Sequence, residues 1–154
     1  MARNDQRSIP IALIVIAALL LIARIAFQVA KPVATSRVEW VPVERGVALA
    51  RASGRGVLFD FTAEWCVPCH QLDAEVFGDC VIAEEINKRF VAVRVTDRQQ
   101  EEGSNAPAVA ELQRRYGVSG FPTVVFAAPD GAELGRMEGY GGKRQFQRVM
   151  EQVR

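Results

Sequence analysis

Residues 57–70 read VLFDFTAEWCVPCH and contain the strongest indication of the protein's architecture. The first seven residues form a nearly unbroken run of apolar, β-branched and aromatic side chains, which predicts a strand buried on both faces of a central sheet. Two cysteines, Cys66 and Cys69, follow at once, and the pattern over residues 69–77 is helical. A buried strand that leads directly into C-x-x-C and a helix predicts an α/β domain with its chemistry at the end of that strand.

The flanking sequence supplies the other elements of such a domain. A second apolar run follows the first helical region, and the order strand, helix, strand implies a right-handed parallel crossover. The turn signal Asp130-Gly131 predicts a hairpin, and the charged stretch 97–106 predicts an exposed loop. The predicted helices cover residues 44–52, 69–77, 82–89, 107–116 and a region from about Lys143; the predicted strands cover 57–63, 90–96, 123–127 and 133–138.

The overall composition limits the classes of function. A chain of 154 residues has room for one domain of ordinary size, and 49% hydrophobic residues suffice for a packed core. The 19 basic and 18 acidic residues nearly balance, so no strong positive field favours nucleic acid as a partner. Three cysteines are too few for a disulfide-built scaffold, and C-x-x-C spacing is used for redox chemistry, metal binding or haem attachment.

The amino-terminal region predicts a membrane anchor. Residues 9–23 are uncharged, and continuation to residue 30 gives about the 20 residues that a helix needs to cross a bilayer. A cleaved secretory signal is the alternative, but the small residues expected at alternate positions of a cleavage site are missing around Ala26, Ala30 and Ala34. We therefore divide the chain into a tail (1–8), a single transmembrane helix (9–30), a proline-containing linker (31–42) and a folded domain (43–154).

The orientation of this anchor is not determined by charge, since basic residues lie on both sides of it. We expect the folded domain to face the periplasm or another extracytoplasmic space, with the anchor in the inner (cytoplasmic) membrane. A tether would offer little to a soluble cytosolic reductant. That side of the membrane would expose the domain to client proteins that carry disulfides.

The position of the two cysteines predicts their roles. A sulfur at the start of a helix lies beside unpaired backbone amides and the positive end of the helix dipole, which favours thiolate. Such thiols have pKa values lowered from about 8.5 to between roughly 3.5 and 7.5. We therefore expect Cys66 to attack a disulfide at neutral pH and Cys69, one turn further on and more buried, to resolve the mixed disulfide.

Two separated motifs, DFTAEWCVPC (60–69) and GVSGFPTVVF (117–126), resemble the thioredoxin superfamily over nearly the whole chain after the linker. The resemblance implies a thioredoxin-like α/β fold with a central mixed sheet flanked by helices. It implies a cis-proline at Pro122 that faces the dithiol, and client backbone pairing at Phe121. Trp65 is expected to cover the dithiol and shape the docking surface, with plain packing as the alternative, and Pro68 resembles the intervening proline of reducing thioredoxins.

Asp60 matches the position where this family keeps a buried carboxylate that moves protons for the resolving thiol. Here it interrupts an apolar strand, where an unpaired carboxylate is costly, so we predict a raised pKa and proton exchange with Cys69. The alternative is an ordinary carboxylate at a strand edge.

The segments CHQLDAEVFGDCVIAEEI (69–86) and VRVTDRQQ (93–100) resemble, more closely, the carboxyl-terminal domain of transmembrane disulfide reductases. This implies a protein-disulfide reductase that needs no metal or organic cofactor. Its partners would be disulfide-bearing clients and an upstream thiol electron donor such as a membrane disulfide reductase. The chain differs from that family in having one predicted span in place of a large electron-conducting membrane domain.

Three alternatives compete with this interpretation. CVPCH is also the attachment pattern of c-type haem, with His70 as an axial ligand, although haem attachment requires neither the preceding strand nor the FPT motif. Zinc could use Cys66, Cys69, His70 and Cys80, but adjacent residues of a helix point in different directions. A thioredoxin-like module that only binds partners is the third. Cys80 by itself is expected to be a small buried residue.

Overall fold

The computed structural model describes residues 11–29 and 36–153. The chain forms two compact units, Met1–Val33 and Ala34–Arg154. Helix α1 (Ile11–Val29) lies in the first. None of the helices in the described ranges is long and apolar enough to cross a membrane. The predicted tail, the ends of the predicted span and residues 31–35 of the predicted linker lie outside the described residues.

A five-stranded mixed sheet forms the centre of the second unit, in the order β1-β3-β2-β4-β5. Strands β1, β2 and β3 run parallel, whereas β4 is antiparallel to both β2 and β5. The strands are β1 (Trp40–Val41), β2 (Gly56–Ala63), β3 (Phe90–Asp97), β4 (Thr123–Ala127) and β5 (Glu133–Glu138). In the central strand β2, every residue after Gly56 is buried, as the apolar run predicted.

Helices cover both faces of this sheet. They are α2 (Val43–Ser53), α3 (Val67–Leu72), α4 (Cys80–Arg89), α5 (Gln99–Glu102), α6 (Pro107–Arg115) and α7 (Lys143–Gln152), and a π-helical segment (Asp73–Phe77) continues α3. One core packs Leu58 and Phe126 against α3, the π-helical segment, α4 and α7. The other packs Phe59 and Val125 against α2 and α6. The thioredoxin-like α/β fold with a mixed central sheet is confirmed.

Helix ends follow the chemistry of their flanking residues. Asp79 caps α4, because its carboxylate accepts hydrogen bonds from the backbone N–H groups of Val81 (2.9 Å) and Ile82 (3.1 Å). Pro107 stands in the first turn of α6, where its missing N–H is not needed. Gly117, with φ of +60°, follows α6 and ends it as predicted.

The structure corrects three predictions of local structure. Trp40 and Val41, assigned to the linker, form β1 by pairing with β3, a long-range contact that local patterning does not show. The loop 97–106 includes the single turn α5. The helix predicted over residues 69–77 begins earlier and widens into a π-helical segment, in which Gly78 N–H donates to Asp73 O at 2.8 Å.

Candidate active site

Cys66 and Cys69 lie where β2 ends and α3 begins, and they form a disulfide with a Cα–Cα distance of 5.3 Å. Cys66 is the N-cap residue of α3, and its sulfur accepts a hydrogen bond from Cys69 N–H at 3.2 Å. Pro68 lies in the first turn of the helix, where it costs no backbone hydrogen bond. The prediction that the C-x-x-C motif opens a helix is confirmed.

Both cysteines are buried in this oxidised form. Each exposes 2% of its surface, so the expectation that Cys69 is more buried than Cys66 is wrong for the disulfide-bonded state. The bond joins the two side chains in one apolar cluster with Ala63, against which Phe121 packs. An apolar wall of this kind excludes water from the reacting sulfurs, and their exchange chemistry therefore depends on the few polar groups nearby.

Trp65, Val67, Pro68 and Phe121 form an apolar rim: the first three adjoin the two cysteines in the chain, and Phe121 packs against the cysteines. Trp65 is 49% exposed and Val67 is 66% exposed, while Phe121 is partly buried against the cysteines. The Trp65 and Phe121 rings meet edge to face, with centroids 5.9 Å apart. Trp65 therefore packs on Phe121 and leaves about half of its surface exposed, while its predicted docking role concerns a partner and stays a prediction.

Pro122 follows Phe121 through a cis peptide bond, as the family resemblance implied. Its carbonyl oxygen accepts a hydrogen bond from Gly139 N–H at 2.8 Å, and the Thr123 hydroxyl donates to Gly120 O at 2.8 Å. These contacts fix the loop that carries Phe121 next to the cysteines. The predicted pairing of client backbone with Phe121 concerns a partner and stays a prediction.

Asp60 is 2% exposed and lies in the middle of β2, so the alternative of a carboxylate at a strand edge is wrong. Side chains alternate along a strand, which places Asp60 on the same face as Leu58, whose core includes Leu72 of α3. Burial raises the pKa of Asp60 to about 7; the Arg94 cation opposes this rise and the Asp73 anion adds to it. The predicted direction is confirmed.

Asp60 depends on Arg94 for its polar contacts. Arg94 lies directly opposite it in β3, and Arg94 Nε donates to Asp60 Oδ2 at 3.1 Å. The other carboxylate oxygen, Oδ1, is buried and has no hydrogen-bond partner among the described residues. Arg94 Nη2 also donates to Asp73 Oδ1 in the π-helical segment, so one guanidinium is shared by two carboxylates.

The sequence interpretation missed Arg94, Asp73 and Trp40, whose ring lies under the Arg94 guanidinium. One signal was present: Arg94 interrupts an apolar strand just as Asp60 does, and opposite charges within neighbouring apolar strands tend to pair. The pairing itself depends on the strand register, and the position of Asp73 depends on the π-helical turn, neither of which the sequence specifies locally.

His70 and Cys80 do not join the cluster formed by the two disulfide-bonded cysteines. His70 is exposed, with Nε2 2.9 Å from Glu64 O. Cys80 is a free, exposed thiol, so its predicted burial is wrong, because α4 turns Ile82, Ala83 and Ile86 inward and its first residue outward. Within the described ranges, no group of three or more histidine, cysteine or acidic side chains could hold a metal ion.

The polar insert (residues 97–106) is anchored beside the dithiol. Asp97, at the end of β3, accepts hydrogen bonds from the side-chain amides of Asn105 (2.6 Å) and Gln113 (2.8 Å). Arg98 forms an ion pair with Glu64 at 3.1 Å. Because Glu64 precedes Trp65, the insert forms a charged border next to the apolar rim.

A disulfide at the start of a helix, with a cis-proline loop packed against it and a buried carboxylate on the strand that leads to it, defines a thiol–disulfide oxidoreductase site of the thioredoxin type. A model of the thioredoxin-like domain matches residues 43–154, and the chain belongs to that family.

Individual relatives agree with this assignment. Over 92 residues the chain is 36% identical to thiol:disulfide interchange protein DsbD 2 of Pseudomonas aeruginosa, a match that covers 59% of this chain and 14% of that protein. The chain thus spans about a seventh of that relative's length. A solved thioredoxin of Thermus thermophilus is 33% identical, with a TM-score of 0.64, and the match covers 76% of this chain and 87% of that one. The carboxyl-terminal domain of Neisseria meningitidis DsbD shares the fold, with a TM-score of 0.54 and 23% identity over 70% of this chain and 89% of that one.

Proposed function

We propose that this protein is a membrane-anchored reductase of disulfides in client proteins outside the cytoplasm. The observation that carries the proposal is the Cys66–Cys69 disulfide at the start of α3, with the buried Asp60 on the sheet face that α3 covers. The similarity to proteins named thiol:disulfide interchange protein supports the same chemistry.

The reaction is a two-step exchange of thiol and disulfide. In the reduced protein, the Cys66 thiolate attacks one sulfur of a client disulfide, and the other client sulfur leaves as a thiolate. Cys69 then attacks Cys66 Sγ, the Cys66–Cys69 disulfide forms, and the second client sulfur is released. Two electrons pass from the protein to the client, and the protein ends in the oxidised form seen here.

Asp60 takes the proton that Cys69 loses when it becomes the attacking thiolate. A carboxylate with a pKa of about 7 can accept a proton and release it again near neutral pH. Most carboxylates are too acidic for this task. The proposed role therefore follows from the burial of Asp60 on the central strand.

The apolar rim supports docking of an extended client segment. Trp65 and Val67 offer exposed apolar surface on one side of the disulfide, and Phe121 lies against the cysteines. Burial of this surface by a client would hold its disulfide next to Cys66.

The anchor and the location of the domain are part of the proposal. The largely apolar run of residues 9–30 in the sequence supports the anchor. Alkaline carbonate extraction of membranes tests it, since an integral anchor stays in the pellet. Reporter fusions at the carboxyl terminus test the side: activity only in the cytoplasm would contradict the extracytoplasmic location. The electron donor we propose is an upstream dithiol, such as a membrane disulfide reductase.

Insulin reduction tests the activity. With dithiothreitol as the electron source, the protein should accelerate insulin precipitation, and Cys66→Ser should abolish the acceleration. Cys80→Ser is the matched control, since Cys80 is exposed and outside the disulfide, and it should keep the parental rate. A parent protein that is inert toward insulin and other disulfides would favour a binding module, and purified protein with a covalent haem absorbance would favour an electron carrier.

A further inference from the structure

Trp40 lies ahead of the region that the family model matches, in a segment that is nevertheless held against the domain. Arg37 N–H donates to Phe77 O at 2.7 Å, and Glu39 N–H donates to the side-chain oxygen of Asn87 at 3.0 Å. These contacts tie the approach to β1 to both the π-helical segment and α4.

The strand register directs Trp40 to the functional site. In the parallel pair of β1 and β3, Trp40 lies opposite Ala92. Because alternate side chains share a face, Ala92 and Arg94 lie on the same side of β3, the side that also carries Asp60 of β2. Trp40 thereby reaches Arg94.

The indole ring is fixed in place and covers the guanidinium of Arg94. The Arg94 Cζ atom lies 4.1 Å from the ring centroid, a cation–π distance. The ring meets Phe77 edge to face at 5.0 Å, and its N–H donates to the Ser36 hydroxyl at 2.8 Å. The contacts with Phe77 and Ser36 therefore hold the indole ring in a position that lets the guanidinium stack on it.

The position of Arg94 matters because Asp60 has little else to bind. Arg94 is 28% exposed in its side chain, and an arginine at such a site has many rotamers that would direct its charge to water. In the structure its nitrogens instead reach the two carboxylates, Asp60 and Asp73. A ring that covers the flat face of the guanidinium leaves its edge as the hydrogen-bonding side.

We propose that Trp40 is a positioning residue for the dithiol chemistry: it holds Arg94 between Asp60 and Asp73 and so controls how readily Asp60 exchanges a proton with Cys69. This inference rests on the proposed disulfide exchange. It makes the segment before the family domain a part of the active site.

The charged groups that face Asp60 are few, which makes the effect measurable. From β3 it faces Arg94, the π-helical segment supplies the Asp73 charge that acts on it, and from β4 it faces the apolar Val124. The helices α3, α4 and α7 contribute apolar side chains to the core on this face of the sheet. If Trp40 is lost, Arg94 spends less time beside Asp60, and the carboxylate loses part of its compensating charge.

The test follows the carboxyl carbon of Asp60 by NMR in ¹³C-labelled, oxidised full-length protein across pH 4 to 9. Trp40→Leu should raise the midpoint of that titration above about 7 by about half a unit to one unit, the size expected when a cation–π contact of ordinary strength is lost. Trp40→Phe keeps an aromatic ring and should give a smaller rise. If the leucine variant does not fold, the phenylalanine variant alone must show an upward shift.

Trp65→Leu is the matched control, since it removes the other tryptophan of the chain and leaves Arg94 covered. It should leave the Asp60 midpoint in place. An unchanged or lowered Asp60 midpoint in Trp40→Leu would overturn the inference. Removal of a ring with a purely structural role would leave the midpoint unchanged. Removal of a ring that only excludes water would lower the midpoint.

Kinetics separate this inference from the proposed function. The pH profile of mixed-disulfide resolution should shift upward in Trp40→Leu together with the Asp60 titration. A parent protein without thiol–disulfide exchange at any pH would refute the proposed function, while the NMR titration would still test the effect of Trp40 on Asp60. An active parent whose variant keeps the parental profile would refute only the role of Trp40.

Discussion

Replacing Asp60 with asparagine should stabilise the protein at high pH and not at low pH. The folded protein keeps a proton on Asp60 up to about pH 7, whereas an unfolded chain releases it near 3.8. Between these values the folded state binds more protons than the unfolded state, so stability falls as pH rises. Above about pH 7 the penalty is complete, and below about pH 4 it is absent.

The size of the effect follows from the shift. A rise of about three pH units corresponds to about 4 kcal/mol at 1.36 kcal/mol per unit. Asparagine does not titrate, so the stability of Asp60→Asn minus that of the parent should grow by up to about 4 kcal/mol from pH 4 to pH 8. Exchange of the neutral carboxyl for an amide beside Arg94 adds an offset that does not change with pH, because it is already present where Asp60 is protonated in both states.

Urea denaturation of the oxidised proteins, followed by tryptophan fluorescence at each pH unit from 4 to 8, measures this difference. Glu101→Gln, on the exposed surface of α5, is the control and should show no growth of the difference with pH. If Asp60→Asn tracks the parent at a constant offset over the whole range, the carboxylate titrates normally and cannot serve as the proposed proton acceptor.

Further predictions concern the neighbours of Asp60 and the packing of α2. Arg94→Met should raise the pKa of Asp60 above about 7, because the Arg94 cation lowers that pKa, and Asp73→Asn should lower it, because the Asp73 anion raises it. Titration of the Asp60 carboxyl carbon by ¹³C NMR measures both shifts. Shifts of the same sign in the two variants would contradict a guanidinium shared by the two carboxylates. Gly46→Ala should destabilise the protein by about 1–3 kcal/mol in urea, because a Cβ there would clash with Val93 Cγ2 in the core. An unchanged urea midpoint would show that α2 moves away from the sheet at little cost.

The elements that carry local signals were predictable from the sequence. The long apolar runs predicted β2 and β3, and the Asp130-Gly131 turn predicted the hairpin of β4 and β5. Burial of a strand and formation of a tight turn both depend on residues that are adjacent in the sequence. The C-x-x-C at a helix start and the cis-proline were likewise visible in two short motifs.

The geometry of the polar network around Asp60 was not predictable, since it depends on long-range register. The pairing of Asp60 with Arg94 requires β2 and β3 to align as they do, and the reach of Asp73 requires a π-helical turn. Trp40 belongs to a strand of two residues followed by proline, too short for any periodic pattern. Contacts between secondary-structure elements determine the positions of these side chains, and local patterns in a single sequence do not show such contacts.

The trapping of a mixed disulfide tests the central claim most directly. In Cys69→Ser, Cys66 can attack a client disulfide but nothing can resolve the product, so a covalent complex with a model client should accumulate and disappear on reduction. Cys66→Ser should form no such complex. Equal trapping by both variants, or by neither, would contradict an exchange reaction in which Cys66 attacks and Cys69 resolves.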